Sequence, residues 1–266
     1  MRKKLARRFA ITILLVCAAL ATATGQAKYQ SSPKRQEAVP QDLGRWLGPY
    51  KASLTPRLMQ DFGERYLYHD ANQQLGLPRA GERRVVFLGD SITDGWKLPE
   101  YFPGKPYVNR GISGQITAQM ALRFHQDVVE LQPAAVIVNA GINDISNTLQ
   151  ITSVAEIESN YESMAEISRA HGVRIIFASV LPVNNYTEYS RGFLTERPPE
   201  QIRELNRWLK KYCEKNSLVY LDYYSAMIDE NQMFRRELTA DGLHPTANGY
   251  KIMAPLAEKA IQQALK

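Results

Sequence analysis

Ser91, Asp241 and His244 are the residue types that together activate a hydroxyl for attack on a carbonyl carbon. A serine hydroxyl is a weak nucleophile at neutral pH and needs a base within hydrogen-bond reach. The imidazole of His244 is such a base. Asp241 stands three residues earlier in Asp241-Gly242-Leu243-His244-Pro245 and can hold that ring in the right tautomer through Nδ1. Attack generates a tetrahedral oxyanion, which preorganised N–H donors stabilise by about 3–4 kcal/mol each. The expected donors are the backbone N–H groups of Ser91 and Gly111 and the side-chain amide of Asn143. A glycine at 111 would let a substrate come close to the backbone. Each fragment alone is weak, since Gly-Asp-Ser is a common turn and an aspartate before a helix is a common cap. Four fragments with complementary roles spell acyl transfer.

Such residues need a frame that brings position 91 to position 244. The apolar pattern supplies one, because short strands alternate with helices. Strands are expected at Arg84 to Leu88, Tyr107 to Asn109, Ala134 to Asn139, Val173 to Leu181 and Leu218 to Asp222. Helices are expected at 116–131, from a Ser153/Glu156 capping box through Ile167, at about 199–215, and from Thr246 to Leu265 with a kink at Pro255. Strands joined through helices imply a parallel sheet covered on both faces. Ligands of such sheets bind beyond the carboxyl ends of the strands. Gly89-Asp90-Ser91-Ile92, Asn109-Arg110-Gly111-Ile112-Ser113-Gly114 and Gly141-Ile142-Asn143-Asp144 each follow a strand directly.

These three segments, with 241–245, resemble blocks I, II, III and V of the SGNH hydrolases, also called GDSL-type esterases and lipases, over residues 83 to about 262. The surroundings are similar to the acetylhydrolase-like branch, notably at 109–114 and in Leu-His-Pro-Thr-Ala-Asn-Gly-Tyr at 243–250. Ile92 replaces the leucine of the name-giving motif. The resemblance implies a three-layer α/β/α sandwich with a flavodoxin-like five-stranded parallel sheet. It implies Ser91 as nucleophile, Asp241 and His244 as its partners, Ser91, Gly111 and Asn143 as the oxyanion hole, and no cofactor or metal. Asp90, Trp96, Asn185 and Tyr186 are candidates to line the substrate pocket, the last two from a long loop at 182–199.

The chain begins with an address. Arg2, Lys3, Lys4, Arg7 and Arg8 precede an apolar run from Ile11 to Leu20 and small residues to Ala27, the pattern of a secretory signal. The run is too short for a spanning helix, which needs about 20 residues. Residues 1–27 are therefore read as a signal peptide, 28–82 as a partly helical extension and 83–266 as the catalytic domain. Export to the periplasm or medium is expected, with no stable membrane insertion after cleavage. Of 33 basic residues five lie in the signal, so 28 remain against 27 acidic ones. That balance excludes a nucleic-acid partner. Cys17 sits inside the apolar run, which leaves Cys213 as the thiol of the mature chain, on an apolar helix stripe where burial is expected. No histidine pair has metal-ligand spacing. The substrate expected is a small-molecule or carbohydrate ester, acetyl esters foremost. Lysophospholipase, thioesterase and acyltransferase activities use the same machinery, and a carbohydrate-binding protein that keeps the fold without catalysis is the rival from another class.

Overall fold

The computed structural model describes residues 53 and 55–266, so the signal peptide expected at 1–27 lies outside the described residues. Strands β1 (Val85–Gly89), β2 (Tyr107–Gly111), β3 (Ala135–Asn139), β4 (Arg174–Ala178) and β5 (Val219–Leu221) form one parallel sheet in the order β2-β1-β3-β4-β5. Every residue of β1 and β3 is buried, which explains their unbroken apolar character. Val85 lies opposite Tyr107 on one side and Ala135 on the other. The chain leaves β1 outward to β2 and then returns past it to β3. The sheet therefore reverses direction between β1 and β3, where ligand crevices form in open parallel sheets.

Among the described residues the longer helices are α1 (Tyr66–Leu75), α2 (Thr117–Asp127), α3 (Val154–Ala170), α4 (Pro199–Asn216) and α5 (Ala247–Ala264). Helices α2, α3 and α4 pack in sequence along one face, and α5 packs on β4 and β5 from the other. These are the three layers expected. Helix α3 starts where its capping box lies: Ser153 Oγ accepts Glu156 N–H, and Glu156 returns to Ser153 N–H at 2.7 Å. Helix α5 runs on through Pro255; that residue and Lys251, whose carbonyl loses its partner, are both exposed. Among the described residues no helix is long and apolar enough to cross a membrane.

Strand β4 is shorter than its apolar run because its last residues are captured sideways. Ser179 Oγ accepts the N–H groups of Tyr223 and Tyr224, and Asn206 pairs with both backbone groups of Val180 at 2.8 and 2.9 Å. Helix α1 precedes the sheet and is tied to β2, to α2 and to the approach to β1 by polar bonds. Tyr68 Oη donates to Gly111 O at 2.5 Å, Asn72 Nδ2 to Asp127 Oδ1 at 2.7 Å, and Arg84 reaches back to Gly76 O at 2.8 Å.

Candidate active site

The turn after β1 is set by two residues. Gly89 allows a backbone approach that no side chain would permit, since a Cβ there would stand 2.1 Å from Thr93 Oγ1 and 2.7 Å from Asn139 O. Asp90 then caps the one-turn helix Ser91–Asp94, its Oδ1 accepting Ile92 N–H at 2.9 Å. Its other oxygen, Oδ2, is buried with no hydrogen-bond partner among the described residues. Burial pushes the Asp90 carboxyl up to about 7, against the opposing pull of the Ile92 N–H and the His244 ring. Asp90 thus orders the turn rather than lining an open pocket. It leaves Ser91 half-buried at the first position of the helix, with its N–H unused by any protein acceptor among the described residues.

His244 arrives from 153 residues away, and its Nε2 stands 2.9 Å from Ser91 Oγ. Its Nδ1 is 2.6 Å from Asp241 Oδ2. Asp241 Oδ1 accepts the N–H groups of Leu243 and His244 at 2.9 and 2.8 Å, with Thr239 Oγ1 nearby at 3.3 Å. Burial alone would raise the Asp241 carboxyl, but the His244 ring and the two N–H donors outweigh it and hold it well below the usual carboxylate range. An ionised carboxylate in that position keeps Nδ1–H donated to it and Nε2 free to accept the serine proton. The loop that carries the pair is anchored on Asn184, whose N–H donates to Gly242 O at 3.0 Å and whose Nδ2 donates to Phe234 O at 2.7 Å. Gly242 has φ +87° and no space for a Cβ, which would lie 2.7 Å from Asn184 O. Tyr250, on α5, donates to Ile92 O at 2.8 Å and joins the C-terminal helix to the nucleophile turn.

The oxyanion side differs from expectation at one residue. Gly111 N–H is already donated to Asn109 Oδ1 at 2.8 Å. A Cβ at 111 would lie 2.1 Å from Asp94 N, so this glycine admits the protein's own backbone and not a substrate. Asn109 Nδ2 completes the junction by donating to Thr93 O and Trp96 O at 2.6 and 2.9 Å. An uncommitted donor of the same loop is Gly114, which is partly exposed, has φ +81°, and gives its N–H to no protein acceptor among the described residues. Asn143 follows Gly141, whose φ is +106°, and gives one amide hydrogen to Gln115 O at 3.0 Å. The second hydrogen stays available.

Trp96 lies in the core, beside a small cavity that it shares with Phe87, Ile92 and Tyr223. It is 3% exposed, stacked on Tyr250 at 5.2 Å between ring centres and edge-on to Phe87 at 5.6 Å. Asn185 is exposed, one residue beyond the Asn184 anchor, and Tyr186 is half-buried with its hydroxyl on Asp229 Oδ2 and Arg236 over its ring at 5.0 Å. Cys213 is buried, and burial pushes its thiol up to about 12, as suits an inert packing residue. Two residues carried no functional signal in the sequence. Asp144 is fully buried and holds the start of α2 by accepting from Thr117 N and Oγ1, the latter at 2.6 Å. Gln115 is fully buried beside Gly114.

The chain is similar in sequence and fold to known proteins. Residues 87–252 match the GDSL-like Lipase/Acylhydrolase family. A GDSL-like lipase from Bacteroides thetaiotaomicron VPI-5482 has a solved structure that superposes with a TM-score of 0.71 at 36% identity, covering 77% of this chain and all of that one. An acetylxylan esterase from Geobacillus stearothermophilus is 24% identical over 204 residues, 66% of this chain and 91% of that enzyme. Esterase TesA of Pseudomonas aeruginosa is 28% identical over 130 residues, and the match spans 63% of its length. With its five-stranded parallel sheet and this extent of similarity, the chain belongs to the GDSL-like lipase/acylhydrolase family of the SGNH hydrolase superfamily and is an ester hydrolase.

Proposed function

We propose that this protein is an exported serine esterase that removes short acyl groups, acetyl foremost, from alcohols, with an O-acylated carbohydrate as its substrate class. Ser91 Oγ attacks the ester carbonyl while its proton passes to His244 Nε2. The carbon becomes tetrahedral, and the negative oxygen is received by Ser91 N–H, Gly114 N–H and the free amide hydrogen of Asn143. Collapse expels the alcohol, which takes the proton from His244, and leaves an acyl group on Ser91. Water, deprotonated by His244, attacks that acyl-enzyme and releases the acid. Asp241 orients the ring throughout and stays ionised.

The single observation that carries this reading is the bonded line Ser91–His244–Asp241, at 2.9 and 2.6 Å across 153 residues of chain. The carbohydrate assignment is supported by the acetylxylan esterase relative, which this chain matches over 91% of its length. Export is supported by the basic head and apolar run before Ala27. The test is turnover of p-nitrophenyl acetate by the wild type and by Ser91→Ala, followed by acetylated polysaccharides, short-chain esters and lysolipids in parallel. Turnover by the wild type alone, with acetate released from polysaccharide, is the expected result. Equal turnover by both proteins overturns the esterase, no turnover by either favours a binding protein, and a preference for lysolipids overturns the substrate class.

A further inference from the structure

Gln115 has every polar atom engaged. Its carbonyl accepts Asn143 Nδ2 at 3.0 Å, and its N–H donates to Ile112 O at 3.3 Å. Its Oε1 accepts Arg123 Nε at 2.6 Å, and its Nε2 donates to Gly63 O and Glu64 Oε2, both at 3.1 Å. Gln115 is 0% exposed and Arg123 is 0% exposed. Arg123 in turn donates to Asp127 Oδ2 at 3.0 Å and to Gly89 O, at the end of β1, at 3.1 Å. One residue therefore connects the amide of Asn143, the peptide of Gly114 and the strand that leads to Ser91.

The outer end of this network lies before the segment shared with the family. Gly63, Glu64 and Tyr68 all precede residue 87. Glu64 is 3% exposed, has φ +54° and pairs with Arg57 at 2.6 Å. Beside it, Gln119 Nε2 donates to Phe62 O at 2.7 Å, and Tyr68 Oη grips Gly111 O at 2.5 Å. A buried polar network with every member bonded is rigid, and oxyanion donors act only if held within about 0.5 Å of their working positions.

We infer that Gln115 is a positioning residue for the oxyanion donors, and that residues 63–68 of the extension are the brace that fixes it. The inference rests on the esterase reading above. Gly114, at φ +81°, sits in the turn that Gln115 N–H closes on Ile112 O at 3.3 Å. Clamping the next side chain at both ends fixes the Gly114–Gln115 peptide, and the Gln115 carbonyl then aims the Asn143 amide. The Asp241–His244 pair makes no bond to Gln115, Arg123 or Glu64: His244 meets Ser91 Oγ, and the other bonds of the pair lie within its own loop, which Asn184 anchors through Gly242. Loosening the brace should therefore weaken transition-state binding without altering proton transfer.

The test uses the full chain and p-nitrophenyl acetate, with rates expressed per serine counted by end-point organophosphonate labelling so that unfolded molecules are not scored. Gln115→Met keeps volume and loses the side-chain bonds; Glu64→Ala loses the outer acceptor, and Glu64→Gln restores one. Arg84→Ala, which loosens the extension at Gly76 away from Gln115, controls for general destabilisation. Gln115→Met should lower kcat and kcat/KM together by about tenfold, with KM within about twofold and the pH profile unchanged, because the lost interaction exists only in the transition state. The inhibition constant of phenylboronic acid, which forms a tetrahedral adduct on serine, should rise by the same factor. Glu64→Ala should lose about threefold, with Glu64→Gln near wild type and Arg84→Ala unaffected. Gln115→Met within about twofold of wild type in both kcat and boronate affinity overturns the inference. So does Arg84→Ala falling as far as Glu64→Ala, or Glu64→Gln failing to recover. If Gln115→Met does not fold, the Glu64 pair decides. Failure of the esterase reading looks different: the wild type itself then neither outpaces Ser91→Ala nor binds boronate.

Discussion

Asp241 and His244 come from one loop and are bonded to each other and to neighbours two or three residues away, whereas Ser91 N–H, Gly114 and Asn143 come from three loops held together by buried side chains. Their burial differs in the same sense. The side chains of His244 and Asp241 are 41% and 33% exposed, while Asn143 is 6% exposed and Gln115 not at all. The two regions do different work on the same substrate. A base must exchange protons with water and with the departing alcohol, so an accessible, locally built turn suits it. A set of donors that awaits a charge gains only by not moving, and long-range burial supplies that stillness. The division teaches that the reactive side of such a site can be read from one loop, but its preorganisation cannot.

The largest effect expected is from Ser91→Ala, which removes the atom both regions serve. Turnover of p-nitrophenyl acetate should fall about a million-fold and phosphonate labelling should vanish. Asp241→Asn strikes the local side alone. An asparagine Oδ1 can still accept the N–H groups of Leu243 and His244, so the loop should persist. The ring loses its ionised partner, and kcat should fall about ten-thousand-fold with a changed pH–rate profile. Retention of more than about a tenth of wild-type kcat would remove Asp241 from the mechanism. Asn143→Ala strikes the buried side. Loss of one oxyanion donor should cost about a hundred- to a thousand-fold in kcat with KM little changed, and the pH–rate profile should keep its wild-type shape. A shifted profile in Asn143→Ala would mean that the two regions are not separable.

The same contrast decides how much was legible in the sequence. Ser91 and Asn143 are polar residues at the ends of apolar runs, where a parallel sheet leaves them one edge to occupy, and Asp241 and His244 form a polar cluster just before the last helix; the layers follow from the same pattern, and the flavodoxin-like sheet from the family resemblance. Gly111 misled because its N–H is taken by the side chain of Asn109, two residues back, and a side chain's direction is not written in spacing. Trp96 misled because its cover, Tyr250, lies far along the chain. Strand β4 ended early because Asn206, on another helix, takes the backbone bonds of Val180. Gln115 gave no signal at all, being a neutral amide in a loop, and its partners lie before the sheet begins. What escaped in each case is a contact made by a side chain across elements, which periodicity does not encode.

Asp90 belongs to both regions, buried like the donors yet within reach of the His244 ring's field, and it gives the smallest and most specific prediction. Its carboxyl is pushed up to about 7 by burial, with Oδ2 unpaired, while an unfolded aspartate ionises near about 4. Below about pH 4 both states hold the proton and there is no penalty. Between about 4 and 7 the folded protein keeps a proton that the unfolded chain has released, so the stability Asp90 contributes is lost as pH rises through this window. Asp144, pushed up to about 6 by burial, acts in the same direction, so the measurement must be a difference between variants. Asp90→Asn keeps an acceptor for Ile92 N–H and cannot ionise. Relative to wild type it should gain about 2 kcal/mol between pH 4 and pH 8 in urea unfolding, below the limit of about 4 kcal/mol that three pKa units would set. A difference that stays flat across that range would show that Asp90 is ionised in the folded protein at all these pH values, with a partner supplied to Oδ2, and that the nucleophile turn is wetter than the donors beside it.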